Sequence, residues 1–108
     1  MNLAEMVEES EIPVLAVFKA AWCGPCRAME PIVQEIADEW SEDLAVVAVD
    51  IGSDEEAVAK YNVMSIPTMV LIDEDGTELG RLRGARTRDE VEDMLYDRCF
   101  IEDEEGEE

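Results

Sequence analysis

Two cysteines that stand three positions apart, Cys23 and Cys26, are the side chains of this sequence best suited to chemistry. They enclose Gly24 and Pro25 and follow Trp22, at the point where an apolar run gives way to a helical pattern. Two sulfurs at this spacing can meet across one helical turn, and proline is tolerated at the start of a helix. The pair therefore predicts a redox-active dithiol.

The place of Cys23 at a predicted helix N-terminus makes it the expected nucleophile. Exposed backbone N–H groups and the helix dipole favour a thiolate there, which lowers the pKa of the thiol. The apolar stripe of the same helix extends backward to Cys26. We therefore expect an exposed attacking cysteine and a shielded partner.

A metal site is the competing interpretation of the cysteines. The chain has no histidine and three cysteines, the third being Cys99. A four-ligand zinc site would need a carboxylate as well, so we expect no metal. Cys99 shares a face of the last predicted helix with Val91 and Leu95, which predicts a small core residue; the alternative is an intermolecular disulfide.

Composition limits the possible functions. The 108 residues, 47% of them hydrophobic, suit one compact domain, which we place at 1–101, followed by an acidic and disordered tail at 102–108. The chain carries 29 acidic and 8 basic residues, a net charge of −21, which argues against nucleic-acid binding. No run approaches the roughly 18 apolar residues of a membrane span, and the start lacks a secretory pattern. We expect a cytoplasmic monomer that binds neither nucleic acid nor membrane.

The acidity suggests a high-salt cytoplasm. Taking the six acids of 102–108 away from −21 leaves −15, so the folded surface is itself acidic. Repulsion on this scale destabilises a compact chain until salt screens it. A halophilic protein is our hypothesis, and an acidic protein of an ordinary cell is the alternative.

The order of predicted elements is that of an α/β fold. Asn2 and Glu5 are spaced as a capping box for a short first helix, and Ser53 with Glu56 and Thr87 with Glu90 repeat this spacing later. Apolar runs predict buried strands at 14–18, 44–49 and 68–72, and a weaker strand at 79–83 follows a turn at Asp75-Gly76. Strand–helix–strand order implies parallel pairing of the first two strands, and the last two form an antiparallel hairpin.

The chain resembles the thioredoxin family over roughly residues 3–101. The resemblance is carried by Trp22-Cys23-Gly24-Pro25-Cys26 between a strand and a helix, by Ser65-Ile66-Pro67-Thr68 before a later strand, and by Pro31, which is expected to kink the long helix. It implies a thioredoxin fold. It also implies that Cys23 is the nucleophile, that Cys26 is the resolving cysteine, and that no cofactor is needed.

The resemblance further implies a docking surface for a substrate's extended chain. Pro67 matches a proline whose preceding peptide bond is cis, which places the Ile66 backbone beside the sulfurs. Gly84 matches a glycine that completes a flat surface. The other members of the expected surface are Trp22, Gly24 and Pro25.

Three departures from the family pattern stand out. A buried Asp expected before the active site is Val17 here, and its usual Lys partner corresponds to Val46, so Cys26 needs another proton acceptor. We rank water first, the leaving substrate thiolate second and Glu30 third. Lys19, where relatives carry an aromatic residue, either stabilises the Cys23 thiolate or is simply solvated. Only 21 residues precede Trp22, so we expect the usual first strand to be absent and the mixed sheet to have four strands with an open edge.

The function implied is reduction of disulfides in cytosolic proteins by dithiol–disulfide exchange. Its partners would be disulfide-containing proteins and a thioredoxin reductase or an equivalent dithiol donor. The alternative is a binding or adaptor module that keeps the thioredoxin fold but exchanges disulfides slowly. Loss of the buried Asp is the sequence feature that favours this alternative.

Overall fold

A computed structural model describes residues 2–98 of the chain. The elements follow in the order α1 (Leu3–Glu9), β1 (Val14–Lys19), α2 (Gly24–Glu39), β2 (Ala45–Asp50), α3 (Glu55–Lys60), β3 (Thr68–Ile72), β4 (Glu78–Arg83) and α4 (Arg88–Arg98). The acidic segment 102–108 and Cys99 lie outside the described residues, so the predictions made for them stay predictions.

The four strands form one mixed sheet in the order β2-β1-β3-β4. β1 pairs with β2 in parallel and with β3 antiparallel, and β4 closes the other edge antiparallel to β3. Within residues 2–98, no further strand pairs with the outer edge of β2. The expected four-stranded mixed sheet without a further first strand is confirmed.

The central strands are buried because both faces of the sheet are covered. Alternate residues of β1 point to opposite faces, so Ala16 and Phe18 join one apolar cluster while Leu15 and Val17 join the other. The first cluster packs under α1 and α3, and the second packs under α2 and α4. This two-sided core fixes the end of β1, from which the chain turns into the dithiol motif.

β2 is less buried than its apolar sequence predicts. Of its six residues, only Val49 is fully buried, whereas all five residues of β3 are buried. The apolar run predicted a strand covered on both faces. An edge strand has a neighbour on one side only, which leaves β2 half exposed.

Capping residues begin the helices where the sequence predicts them, with one exception. The Asn2–Glu5 box is reciprocal at 2.8 and 3.0 Å, and Thr87 and Glu90 exchange bonds of 2.9 and 3.2 Å. The prediction that Ser53 caps α3 is wrong, because Asp54 occupies that position and its Oδ1 accepts the amide of Ala57 at 3.2 Å. Its other oxygen accepts the amide of Leu3 at 2.8 Å, a tertiary bond that fixes the N-cap one residue later than predicted.

Arg88 joins α4 to α2 on the acidic surface. Its guanidinium contacts Glu35 at 3.0 Å, Glu92 at 3.2 Å, and also Glu39. These carboxylates raise the pKa of Arg88, the hydrogen bond to Glu39 being the largest cause. One cation thus offsets the mutual repulsion of three acids and holds α2, the helix that carries the dithiol.

Candidate active site

The two cysteines lie where the chain passes from the end of β1 into α2. Cys23 is the N-cap of α2, and its Sγ accepts the backbone N–H of Cys26 at 3.1 Å. The two residues are joined by a disulfide, with their Cα atoms 5.2 Å apart. A hydrogen bond donated to sulfur favours the thiolate form of Cys23 when the bond is reduced.

Burial at the disulfide differs from the sequence prediction. The residue exposures are 5% for Cys23 and 4% for Cys26, so the expectation of an exposed attacker beside a shielded partner is wrong for the disulfide form. Both cysteines share a buried cluster with Ala20, and Ile51 and Ile66 pack against this cluster. Burial does not distinguish the two cysteines, but their helix positions differ, because Cys23 is the cap and Cys26 is inside the first turn.

The residues next to the disulfide form an exposed rim. Trp22 is 75% exposed, and Gly24 and Pro25 are exposed as well. A hydrogen bond fixes this segment to α2, because Arg27 Nη1 donates to the carbonyl of Ala21 at 2.7 Å. A large apolar side chain at this level of exposure is available to contact another molecule.

A second loop lies against the disulfide. The Ile66–Pro67 peptide bond is cis, and Ile66 packs against the cysteine cluster. Gly84 has φ +85°, a backbone conformation that residues with a side chain rarely adopt. Its amide donates a hydrogen bond to the Pro67 carbonyl at 2.7 Å. Positions far apart in sequence are therefore brought together at one end of the sheet.

A cavity of about 270 Å³ opens beside Cys26. Its lining includes Val17, Ala48 and Pro67 as apolar walls, together with the charged side chains of Lys19 and Glu30. The strand register pairs Val17 with Ala48, and Val46 with Leu15. The prediction that Val46 is the β2 position beside Val17 is therefore wrong, because Ala48 occupies that place. Val17 and Ala48 are both apolar, so the conclusion that no charged pair lies here is unchanged.

Sequence reasoning missed two features of the site. Met64 is 79% exposed and flanks the loop of Ile66, yet no periodic pattern marks it. Ile51, in the segment after β2, packs against the cluster of Ala20 and the two cysteines, a contact that depends on tertiary structure alone. The cavity shared by Cys26 and Glu30 could have been anticipated from their spacing of four on one helix.

Metal and membrane features can be assessed for residues 2–98. No group of three or more Cys, Asp or Glu side chains in that range is placed to hold a metal ion. None of the helices there combines the length and apolar character needed to cross a bilayer.

Comparison with known proteins gives one consistent result. A family model described as "Thioredoxin" matches residues 1–97. The thioredoxin of Listeria monocytogenes is 40% identical over 88 residues, which are 82% of this chain and 84% of that protein. The thioredoxin of Bacillus subtilis is 35% identical with the same coverage. The crystal structure of a reduced thioredoxin pre-protein of Schistosoma mansoni superposes with a TM-score of 0.80 at 33% identity, covering 90% of each chain.

Proposed function

The chain belongs to the thioredoxin family, and from this premise we propose that it reduces disulfide bonds of other proteins through Cys23 and Cys26. As a family member it is a thiol–disulfide oxidoreductase. The observation that best supports the residue assignment is the hydrogen bond from the Cys26 amide to Cys23 Sγ at the start of α2.

The proposed reaction has two exchange steps. The Cys23 thiolate attacks one sulfur of the client disulfide, a mixed disulfide forms, and the other client sulfur leaves as a thiolate. Cys26 then loses its proton and attacks Cys23 Sγ, which releases the second client thiolate and closes the Cys23–Cys26 bond. The protein is oxidised by two electrons, and the client is reduced by two.

We also propose that the client docks as an extended chain over the rim of the disulfide. The Ile66 backbone would hold it, and the proposed surface is completed by Trp22, Gly24, Pro25, Pro67 and Gly84. Two observations support this surface: Trp22 is exposed beside the cysteines, and the bond from Gly84 to the Pro67 carbonyl holds Gly84 next to the cis-proline loop.

Proteins of this family act on disulfide substrates and are reduced in turn by a thioredoxin reductase. For this chain we propose cytoplasmic proteins as clients and a thioredoxin reductase, or an equivalent dithiol donor, as the source of electrons. Such a donor must return two electrons to the Cys23–Cys26 disulfide after each turnover.

Reduction of insulin with dithiothreitol as donor tests the proposal. The wild-type protein should accelerate insulin precipitation, Cys23→Ser should abolish that acceleration, and Cys26→Ser should accumulate a mixed disulfide with insulin. Activity that survives Cys23→Ser would remove Cys23 as the nucleophile. An inactive wild type that still binds insulin chains would favour the adaptor alternative.

A further inference from the structure

We propose that Glu30 accepts the proton of Cys26 during the second exchange step, across the cavity that both residues line. This inference rests on the proposed function, in which Cys26 resolves the mixed disulfide. A thiol is a poor nucleophile until it is deprotonated, so a base near Cys26 accelerates this step.

The helix places the two groups together. Cys26 and Glu30 are four residues apart in α2, a spacing that puts side chains on the same face one turn from each other. Both line the cavity of about 270 Å³, which can hold a water molecule of roughly 30 Å³. The proton can therefore pass through a water molecule in this cavity.

The other walls of the cavity offer no competing base. β1 contributes Val17 and Lys19, β2 contributes Ala48, and the cis-proline loop contributes Pro67. Asp50, the register partner of Lys19, does not line the cavity, and its Oδ1 accepts the Gly52 amide at 2.8 Å. Within residues 2–98, Glu30 is thus the one carboxylate that lines this cavity.

Lys19 suits the site to this role. Its side chain lines the same cavity and brings a positive charge to it. A nearby cation favours a thiolate over a thiol. A cation beside the base and the thiol offsets the negative charge that develops as Cys26 attacks.

The step balances without any further reactant. The Cys26 S–H bond breaks and its proton moves to the Glu30 carboxylate. The new thiolate forms a bond to Cys23 Sγ while the bond from Cys23 to the client sulfur breaks. The client leaves as a thiolate, which takes up the proton from Glu30 or from solvent.

An anion near Cys26 has a second, opposing effect that makes the proposal testable. If Glu30 acted only as a fixed negative charge, it would raise the pKa of Cys26 and slow the step. Neutralising it would then speed resolution. If Glu30 accepts the proton, neutralising it slows resolution instead. The direction in which the rate changes therefore decides between the two roles.

The experiment uses dithiobis(nitrobenzoate), a disulfide that releases one coloured thiolate at each exchange step. Equimolar reagent is mixed with the reduced protein in a Cys99→Ser background, so that a first phase reports attack by Cys23 and a slower, first-order phase reports displacement by Cys26. Glu30→Gln is compared with Glu8→Gln, a matched loss of one charge on α1, away from the cavity.

We expect Glu30→Gln to slow the second phase by about tenfold or more near neutral pH, which is less than the roughly 10²- to 10⁴-fold that a general base typically contributes because water replaces part of its role. The first phase should change by less than about twofold, and Glu8→Gln should leave both phases alone. Between about pH 6 and pH 8, the wild-type second phase should change little, whereas that of Glu30→Gln should rise about tenfold per pH unit as hydroxide replaces the lost base. Added formate should accelerate the second phase of Glu30→Ala.

A second phase of Glu30→Gln that is unchanged or faster overturns the proposal. So does a pH dependence that is the same in the variant and the wild type. Absence of the first phase in the wild type would instead overturn the proposed function, because Cys23 would not be the attacking group. The two failures therefore give different traces.

Discussion

Val17 and Ala48 lie side by side on β1 and β2, and both border the cavity at Cys26. The family resemblance led us to expect a buried Asp at position 17 with a Lys beside it, and this chain has two apolar residues instead. Replacing both charges together avoids the cost of a single unpaired buried charge. The ionisable side chains that line this cavity are therefore Lys19 and Glu30.

Val17→Asp tests this replacement. The new carboxyl would be buried without a cation at position 48, so we expect the free energy of unfolding to fall by about 2 kcal/mol or more. Adding Ala48→Lys should restore part of that loss. Thermal unfolding of the single and double variants measures both effects, and the nitrobenzoate assay should show a faster second phase in the double variant. A single variant as stable as the wild type would contradict the expected cost of burying an unpaired carboxyl at position 17.

Trp22→Ala tests the docking rim. Because Trp22 is 75% exposed, its loss should change the free energy of unfolding by no more than about 0.5 kcal/mol. We expect kcat/KM for insulin to fall by about tenfold, in proportion to a lost contact of about 1.4 kcal/mol, while reaction with the small nitrobenzoate disulfide stays nearly unchanged. Equal losses with both substrates would place the role of Trp22 in the chemistry and not in docking.

The two loops that meet at the disulfide were predicted on different grounds. The Cys-Gly-Pro-Cys spacing predicts the first from the residues themselves, whereas the position of Ile66-Pro67 beside the sulfurs was implied by the family resemblance. The burial of Cys23 was not predictable, since it depends on Ile66 and Ile51 arriving from distant parts of the chain. Likewise, the neighbour of Val17 depends on strand register, which the apolar run of β2 leaves ambiguous.

At the level of elements, helix starts and strand identities follow from capping residues and apolar runs. Where a tertiary contact competes, prediction fails: Asp54 outcompetes Ser53 as the cap of α3 because it also binds the Leu3 amide. The exposure of β2 is a second case. Its composition indicates burial, but its position at the edge of the sheet decides the outcome.

The β4 strand carries a pair whose effect depends on pH. Arg81 donates to Glu78 at 2.6 and 2.8 Å and also to the Tyr61 carbonyl at the end of α3. The hydrogen bond from Arg81 lowers the pKa of Glu78, and the Arg81 charge adds to the shift. Because the folded pKa lies below the unfolded one, this stabilisation is complete above the unfolded value of about 4.5 and is lost as the pH falls through the folded value.

Glu78→Gln should therefore lower the free energy of unfolding by about 0.5 kcal/mol at neutral pH, the usual size for an exposed pair. The difference from the wild type should shrink as the pH falls below about 4.5. Urea unfolding at a series of pH values measures it. Glu74→Gln, in the neighbouring turn, is the control for loss of a charge, and a pH-independent difference for Glu78→Gln would exclude the ion pair as its cause.

On the scale of the whole molecule, a net charge of −21 on 108 residues opposes both folding and ionisation of a thiol. Salt screens long-range repulsion, with a Debye length of about 10 Å at 0.1 M and about 3 Å at 1 M. The hydrogen bond from the Cys26 amide to Cys23 Sγ is local and is screened much less. High salt should therefore favour both the folded state and the Cys23 thiolate.

Thermal unfolding in KCl tests the role of charge. We expect Tm to rise by at least about 5 °C between dilute buffer and molar KCl, which corresponds to about 1 kcal/mol for a chain of this size. An uncharged osmolyte at equal water activity is the control for general effects on the solvent. Equal stability in dilute buffer and molar KCl would refute the hypothesis of adaptation to high salt.

The rate of alkylation of Cys23 as a function of pH tests the proposed chemistry most directly. The reduced protein in molar KCl is treated with iodoacetamide, and the modified cysteine is identified by mass spectrometry of peptides. We expect Cys23 to react first, with a midpoint well below about 8.5, the ordinary value for a free thiol. Preferential reaction of Cys26, or a midpoint for Cys23 at or above that ordinary value, would contradict the assignment of Cys23 as the attacking thiolate.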